Sequence, residues 1–242
     1  MTTALALPTR RDEAYRYADL GALAAAWPIA TEAIRVSAGS EGALSLVTES
    51  GVRQLDIVLE DGARFDLRVL AAGSGYGRIA VTVTLGKGAA FTFGAAQVAG
   101  GSQVLEVVTD VRHLAPDAIS RQVVRSVAGG TATVNYLGKV EVARGADGTD
   151  GEQSVRAMLL DRTATANARP ELEIYADDVK CAHGCAVGEL DATGLFYLQS
   201  RGLPPAEAKR LMLQAFLAEA FVGAKDEDAL TEAAIRALEA ML

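Results

Sequence analysis

The chain has 242 residues, of which 50% are hydrophobic and 22% charged, and its formal net charge is -8 at pH 7. This composition is typical of an ordered globular protein, and the negative charge disfavours nucleic acid and anionic membranes as partners, because both attract positive patches. Two cysteines are too few for a disulfide framework. The apolar run at 20–30 is too short and broken to span a bilayer, and the first residues do not resemble a secretory leader, so we expect a cytoplasmic protein.

The N-terminal part of the chain is rich in helix formers. Residues 9–27 predict a short amphipathic helical segment, for which Thr9 or Asp12 is a candidate cap. Pro28 then ends the helix or turns the chain. We therefore predict an N-terminal helical segment over residues 1–33.

A β core is predicted over residues 34–188. Apolar and polar residues alternate there, most clearly in the segments 65–70, 78–85 and 131–142. Turns rich in glycine and aspartate separate about ten short strands, a spacing that fits a sandwich, a barrel or a β-solenoid. No strict motif repeats at a fixed period, so periodicity alone leaves these three architectures open.

A C-terminal helical domain is predicted over residues 189–242. Asp191 can cap a first helix, Pro204 precedes a second, and Asp226 or Asp228 can start a third. Three large residues lie off the main apolar face of the second helix, which indicates either packing against the β core or a docking surface for a partner. These residues are Leu213, Leu217 and Phe221.

The segment DDVKCAHGCAVGELD at 177–191 contains both cysteines and one of the two histidines. On a strand, Cys181, His183 and Cys185 would point to one face at intervals of about 7 Å. Thiolate and imidazole suit zinc, iron or an iron–sulfur unit, but a closed structural zinc site needs a fourth ligand. The segment therefore predicts an open metal site, or one completed by another chain. The simpler alternative is a buried thiol pair beside a hydrogen-bonded histidine.

Other candidate sites are weaker. The glycine-rich turn at 73–78 matches neither a P-loop nor a dinucleotide fingerprint, which disfavours nucleotide binding by this chain. His113 stands alone and is interpreted as structural. No base or oxyanion donor is identifiable for a cysteine nucleophile, and no set of carboxylates suggests a polysaccharide-cleaving enzyme. We therefore expect a protein that is not an enzyme.

A longer segment that includes the Cys-x-His-x-Cys cluster resembles a known family. The sequence PELEIYADDVKCAHGCAVGELDATGLFYLQSRGL at 170–203 is similar to the C-terminal signature of the SufB/SufD family of iron–sulfur cluster assembly proteins. Segments 7–20 and 110–142 resemble its N-terminal and central parts. The pattern DDVKCxHG, followed by VG and FYLxSRG, resembles the SufD form of the family more than the SufB form.

This resemblance implies a fold and a set of partners. The fold would be a right-handed parallel β-helix between helical ends, with fewer turns than usual because the chain is short for the family. The β-helix would pair edge to edge with that of a SufB-like subunit. A SufC-like ATPase would dock on the C-terminal helices and bind the ATP. A homodimer of the isolated chain is also plausible, because edge strands can pair.

The resemblance also implies roles for the cluster residues. His183 would bind iron or a nascent iron–sulfur cluster, held transiently and shared with the SufB-like subunit. Cys181 would be a second ligand or a structural neighbour. Cys185 stands where the family commonly has alanine, so it is either an added thiolate ligand or a buried small side chain. The alternative function is a stand-alone Cys/His metal-binding or redox module.

Overall fold

A computed structural model describes residues 6–242, and parallel strands are the main secondary structure of that range. The strands are β1 Thr31–Val36, β2 Glu41–Thr48, β3 Gly51–Leu59, β4 Arg64–Ala72, β5 Tyr76–Leu85, β6 Ala90–Ala99, β7 Val104–His113, β8 Ile119–Ala128, β9 Thr133–Val142, β10 Asp150–Leu159, β11 Thr165–Ile174 and β12 Lys180–Gly188. The helices are α1 Leu20–Ala24, α2 Ala192–Ser200, α3 Pro205–Ala218 and α4 Glu227–Met241, with a 3-10 turn at Glu13–Tyr15.

Successive strands alternate between two sheets. The odd sheet has the order β1-β3-β5-β7-β9-β11, and the even sheet has the order β12-β10-β8-β6-β4-β2. Each strand pairs in parallel with the strand two positions along the chain; Val83, for example, lies between Ile57 and Val111. The chain therefore winds as a parallel β-helix. This confirms the solenoid among the three architectures that the periodicity left open.

The core lies between the two sheets and is made by alternate residues of each strand. Ile79, Val81, Val83 and Leu85 of β5, which the sequence predicted to share one face, are all at most 2% exposed. Phe91 and Phe93 on β6 belong to the same core cluster. Strand periodicity thus identified the inward face, because side chains of a strand alternate between its two sides.

The N-terminal segment is less helical than predicted, since only the 3-10 turn and α1 lie within residues 9–27. Its backbone carbonyls bond to the outer face of the odd sheet instead. The carbonyl of Ala14 accepts from Arg78 Nη2 at 2.8 Å, and that of Tyr17 accepts from Asn135 Nδ2 at 3.2 Å. A continuous helix would keep these carbonyls for its own hydrogen bonds. The predicted helical segment therefore consists of two short helical pieces and not of one continuous helix.

The predicted limits of the three segments can be compared with the observed elements. Strand β1 begins at Thr31, inside the predicted helical segment 1–33, whose first five residues lie outside the described part of the chain. Strand β12 ends at Gly188, where the predicted β core ends. The division into domains stays a prediction.

The C-terminal helices pack on the outer face of the even sheet. Asp191 caps α2 by accepting hydrogen bonds from two backbone amides at 3.0 Å, and Asp226 is the residue that precedes α4, both as predicted. The three off-face residues of this region are at most 1% exposed and form a cluster with Leu70 and Val98 of the sheet. Leu213, Leu217 and Phe221 therefore pack against the β core and are not an exposed docking patch. No helix within residues 6–242 combines the length and apolar character needed to cross a bilayer.

Candidate functional site

The Cys-x-His-x-Cys cluster lies on β12, the terminal strand of the even sheet. Strand β12 pairs with β10 on one side, and in the part of the chain that is described no strand pairs with its other side. Strand β11 ends the odd sheet in the same way. This end of the β-helix therefore presents two unpaired strand edges next to each other, and such edges are sites where another chain can add a strand.

The three predicted site residues form one row that faces the space between the sheets. His183 lies in register with Gln153 of β10, which is 1% exposed. Cys181 packs against the main core cluster, and the Cys185 thiol contacts the carbonyl oxygen of Ala168, on the facing sheet, at 3.8 Å. The structure thus brings Cys181, His183 and Cys185 onto one inward row, as strand geometry predicted. We call these residues the terminal row.

The terminal row is accessible because no further turn covers it within residues 6–242. Cys181 is partly buried, whereas His183 and Cys185 are exposed. Burial raises the pKa of the Cys181 thiol above its ordinary value, and burial raises the pKa of the Cys185 thiol as well. Both groups are therefore neutral thiols near pH 7, and each must lose its proton to bind a metal.

The terminal row is not a complete metal site by itself. Among residues 6–242, no three histidine, cysteine, aspartate or glutamate side chains are placed to hold one metal ion. The assignment of His183, Cys181 and Cys185 as ligands stays a prediction. If it is correct, the remaining ligands must come from outside the described residues.

A buried polar cluster lies directly beneath the terminal row, and sequence reasoning missed it. Thr109 donates to Gln122 Oε1 at 2.9 Å, the Tyr136 hydroxyl lies 3.1 Å from the Thr109 hydroxyl, and Gln153 Nε2 donates to the Tyr136 hydroxyl at 3.3 Å. Burial raises the pKa of Tyr136 to about 12, so its hydroxyl stays protonated. Two polar atoms of this cluster have no hydrogen-bond partner, Gln122 Nε2 and Gln153 Oε1.

The sequence contains the residues of this cluster, but only the strand register shows that they lie together. Gln122, Gln153 and His183 occupy the same register position on β8, β10 and β12. The corresponding residues on the earlier strands are Phe93 and Leu67. A polar residue at an inward position resembles a break in the strand pattern unless the register is known.

The second histidine, His113, lies on β7 and does not belong to the terminal row. His113 is fully buried, and its Nε2 lies 2.9 Å from the Ser120 hydroxyl. Burial lowers its pKa to about 4, so the ring is neutral at physiological pH. These observations support the structural role predicted for it.

Several large apolar side chains are exposed on α2, on β12 and at the end of β11. Phe196 and Tyr197 on α2 are 71% and 56% exposed, and Val187 on β12 is 46% exposed. Ile174 and Tyr175, at the end of β11, are also exposed. Clusters of exposed apolar residues are typical of protein interaction sites.

Comparison with known proteins places these features in a family. Residues 34–216 match the family model described as "SUF system FeS cluster assembly, SufBD core domain". The chain is 30% identical over 171 residues to the iron-sulfur cluster assembly protein SufD of Escherichia coli (strain K12), an alignment that covers 71% of this chain and 40% of that protein.

Two further relatives align over shorter regions. Identity is 43% over 84 residues with the iron-sulfur cluster assembly protein SufD of Bacillus subtilis (strain 168), covering 35% of this chain and 19% of that protein. It is 40% over 105 residues with the chloroplastic protein ABCI7 of Arabidopsis thaliana, covering 43% of this chain and 22% of that protein. The alignments thus span less than half the length of these curated relatives.

Proposed function

The chain belongs to the SufBD family of iron–sulfur cluster assembly proteins and is SufD-like, and on this premise we propose that it is a non-enzymatic subunit of a cluster-assembly scaffold. The observation that carries the proposal is the terminal row, which lies inside the matched region and at the accessible end of the β-helix. Iron and the nascent cluster are cargo in this role. The chain holds them transiently and passes them on.

The first partner is a SufB-like subunit that covers the free edges of β11 and β12. Pairing at an edge would satisfy the unpaired backbone groups of both strands and bury exposed side chains such as Val187. His183 would then lie at the subunit interface with Cys181 beside it. The partner would supply the ligands that complete the site, which accounts for an incomplete set on one chain.

His183 is the best candidate for the iron ligand. A neutral imidazole can bind a metal without first losing a proton, whereas the raised pKa values of Cys181 and Cys185 oppose thiolate formation. Cys185 is exposed and points inward, so it can add a thiolate once a metal or a partner lowers its pKa.

The second partner is a SufC-like ATPase that docks on the C-terminal helical domain. The buried faces of α3 and α4 are already occupied by the even sheet, so the docking residues must come from the exposed face. Phe196 and Tyr197 on α2 are the largest exposed side chains there. ATP would bind to this partner, and the complex would be cytoplasmic.

Co-expression of the chain with a SufB-like and a SufC-like subunit tests the proposal. We expect a stoichiometric complex that assembles a cluster anaerobically from ferrous iron and a sulfur donor, with formation followed by visible absorption. His183→Ala should leave the complex intact and abolish cluster formation. Lys180→Ala is the control, because it removes a side chain from the same strand but from outside the terminal row.

Different results of this experiment test the partner assignment and the site assignment separately. Failure of the complex to form would contradict the partner assignment, and normal cluster formation by His183→Ala would contradict the site assignment. Metal analysis of the pure chain, prepared anaerobically, tests the stand-alone module. Tight stoichiometric metal in the absence of partners would favour that alternative.

A further inference from the structure

The side chain of Gln153 combines deep burial with an unsatisfied acceptor next to the terminal row. It is 1% exposed, and its Nε2 donates to the Tyr136 hydroxyl. Its Oε1 is buried and has no hydrogen-bond partner. A buried carbonyl oxygen without a hydrogen-bond partner is unfavourable, so a donor that reaches it stabilises the folded state.

On β12, the neighbouring strand at the open end of the β-helix, the residue opposite Gln153 is His183. The two residues are in register on neighbouring parallel strands, where strands lie about 4.8 Å apart. Both side chains face the interior, and the exposed His183 ring has space to turn. A neutral imidazole has one N–H donor and one nitrogen lone pair, so donating the N–H to an acceptor fixes which nitrogen carries the lone pair.

We propose that Gln153 is a positioning residue for His183: its Oε1 accepts the imidazole N–H, selects one tautomer and leaves the other ring nitrogen free to bind iron. Metal-binding histidines are commonly held in this way by a carbonyl or carboxylate oxygen. The inference rests on the proposed function of His183 and adds the residue that orients it.

The Tyr136 hydroxyl supports this orientation of the amide. Because Gln153 Nε2 donates to that hydroxyl, the amide oxygen is directed away from it. The Tyr136 hydroxyl in turn lies 3.4 Å from Gln122 Oε1, to which it donates. The polar cluster therefore fixes the amide nitrogen of Gln153 on the interior side and leaves the amide oxygen without a partner.

A competing donor is present on the other side. Gln122 Nε2 is also buried without a partner, and Gln122 lies in register with Gln153. A carbonyl oxygen has two lone pairs, so a bond from Gln122 does not exclude one from His183. The experiment must therefore report on the His183 ring itself.

Nitrogen-15 NMR of the imidazoles in the full-length chain, above the pH at which the rings protonate, is that experiment. The chain has two histidines, so His183→Ala identifies the signals. We expect His183 to be a single tautomer in the wild-type chain. A tautomer ratio equal to that of an unstructured histidine peptide would overturn the proposal without any variant.

Substitutions then test the role of Gln153 directly. Gln153→Met keeps the volume but removes the acceptor, and should return His183 to the tautomer ratio of the peptide. Gln153→Glu retains an acceptor and should restore the single tautomer. Gln97→Met is the matched control, because it removes a buried amide that hydrogen-bonds to Asn135 and Ser126 and not to this cluster, and it should leave the tautomer ratio unchanged. An unchanged ratio in Gln153→Met would also overturn the proposal.

Iron binding separates this inference from the proposed function. In the assembled complex, Gln153→Met should weaken Fe²⁺ binding by about 10–100-fold, the usual effect of losing a residue that orients a ligand. If His183→Ala does not affect cluster assembly, the proposed role of His183 fails, even where the tautomer result holds. If His183→Ala abolishes assembly and Gln153→Met changes neither the tautomer nor Fe²⁺ affinity, only the positioning role fails.

Discussion

Gly94 of β6 lies directly against the carbonyl group of Ala220, just after α3: a Cβ at residue 94 would be 1.8 Å from that oxygen. Arg68 reinforces the contact by donating from Nη1 to the same oxygen at 2.8 Å. The C-terminal helices thus approach the even sheet closely at a point where only glycine fits.

Gly94→Ala should therefore destabilise the protein by about 1–3 kcal/mol, because the added methyl group forces the helices away from the sheet. Chemical denaturation measures this loss. Gly188→Ala is the control, since nothing lies within 4 Å of a Cβ added there, and it should change stability by less than about 0.5 kcal/mol. Equal effects of the two substitutions would contradict the close packing.

Acid should weaken the fold through His113. Its pKa is lowered from 6.5 to about 4, so between these values the unfolded chain binds more protons than the folded one. Stability from this group is complete above about pH 6.5 and falls as the pH decreases toward 4, by about 2 kcal/mol between pH 7 and pH 5. Unfolding free energies of the wild-type chain and of His113→Gln at both pH values measure it.

His113→Gln keeps a polar side chain that does not titrate, so its loss of stability between pH 7 and pH 5 should be smaller than in the wild-type chain. The same loss in both proteins would show that His113 is not the group responsible.

The two thiols should react slowly with iodoacetamide at pH 7 in the isolated chain. Burial raises both pKa values, and the thiolate is the reactive form. Reaction should accelerate as the pH rises, and the exposed Cys185 should be modified before the partly buried Cys181. Mass spectrometry of peptides over time follows each site. Labelling faster than that of an unstructured cysteine peptide would contradict the raised pKa values.

Phe196 and Tyr197 should contribute to binding of the SufC-like ATPase. Exposed aromatic residues at the centre of an interface often contribute about 2 kcal/mol each, which corresponds to roughly 30-fold in affinity. Phe196→Ser should weaken ATPase binding by that factor while leaving the melting temperature unchanged, because the side chain is 71% exposed. Val47→Ser, which alters an exposed apolar residue on β2, should not affect binding. Equal binding by both variants would place the ATPase elsewhere.

The sequence predicted those parts of the fold that depend on local periodicity. Val81 and Val83 alternate with polar residues, so the strand and its inward face could be read directly. The row of Cys181, His183 and Cys185 followed from the same rule. The sequence does not show which strands pair, because the number of residues per turn of the β-helix changes along the chain. Paired residues are 23 positions apart in β1 and β3 and 32 positions apart in β9 and β11.

Long-range contacts explain the parts that sequence reasoning missed. The segment around Ala14 has helix-forming residues, but Arg78 and Asn135 bond to its carbonyls from the sheet. The contact between Gln153 and Tyr136 is another case, since the two residues lie on different sheets. Local propensity is a weak guide where tertiary hydrogen bonds compete with it.

The terminal position of β12 has a consequence for the dynamics of the site. In a solenoid each turn is stabilised mainly by its immediate neighbours, so the last turn has support from one side only and opens more readily than the middle of the stack. The predicted metal ligands therefore lie on a terminal turn, which has lower local stability than the middle of the β-helix. A subunit that capped this end and supplied ligands, as proposed above, would also hold the terminal turn in place, so cargo binding and subunit association would be thermodynamically linked.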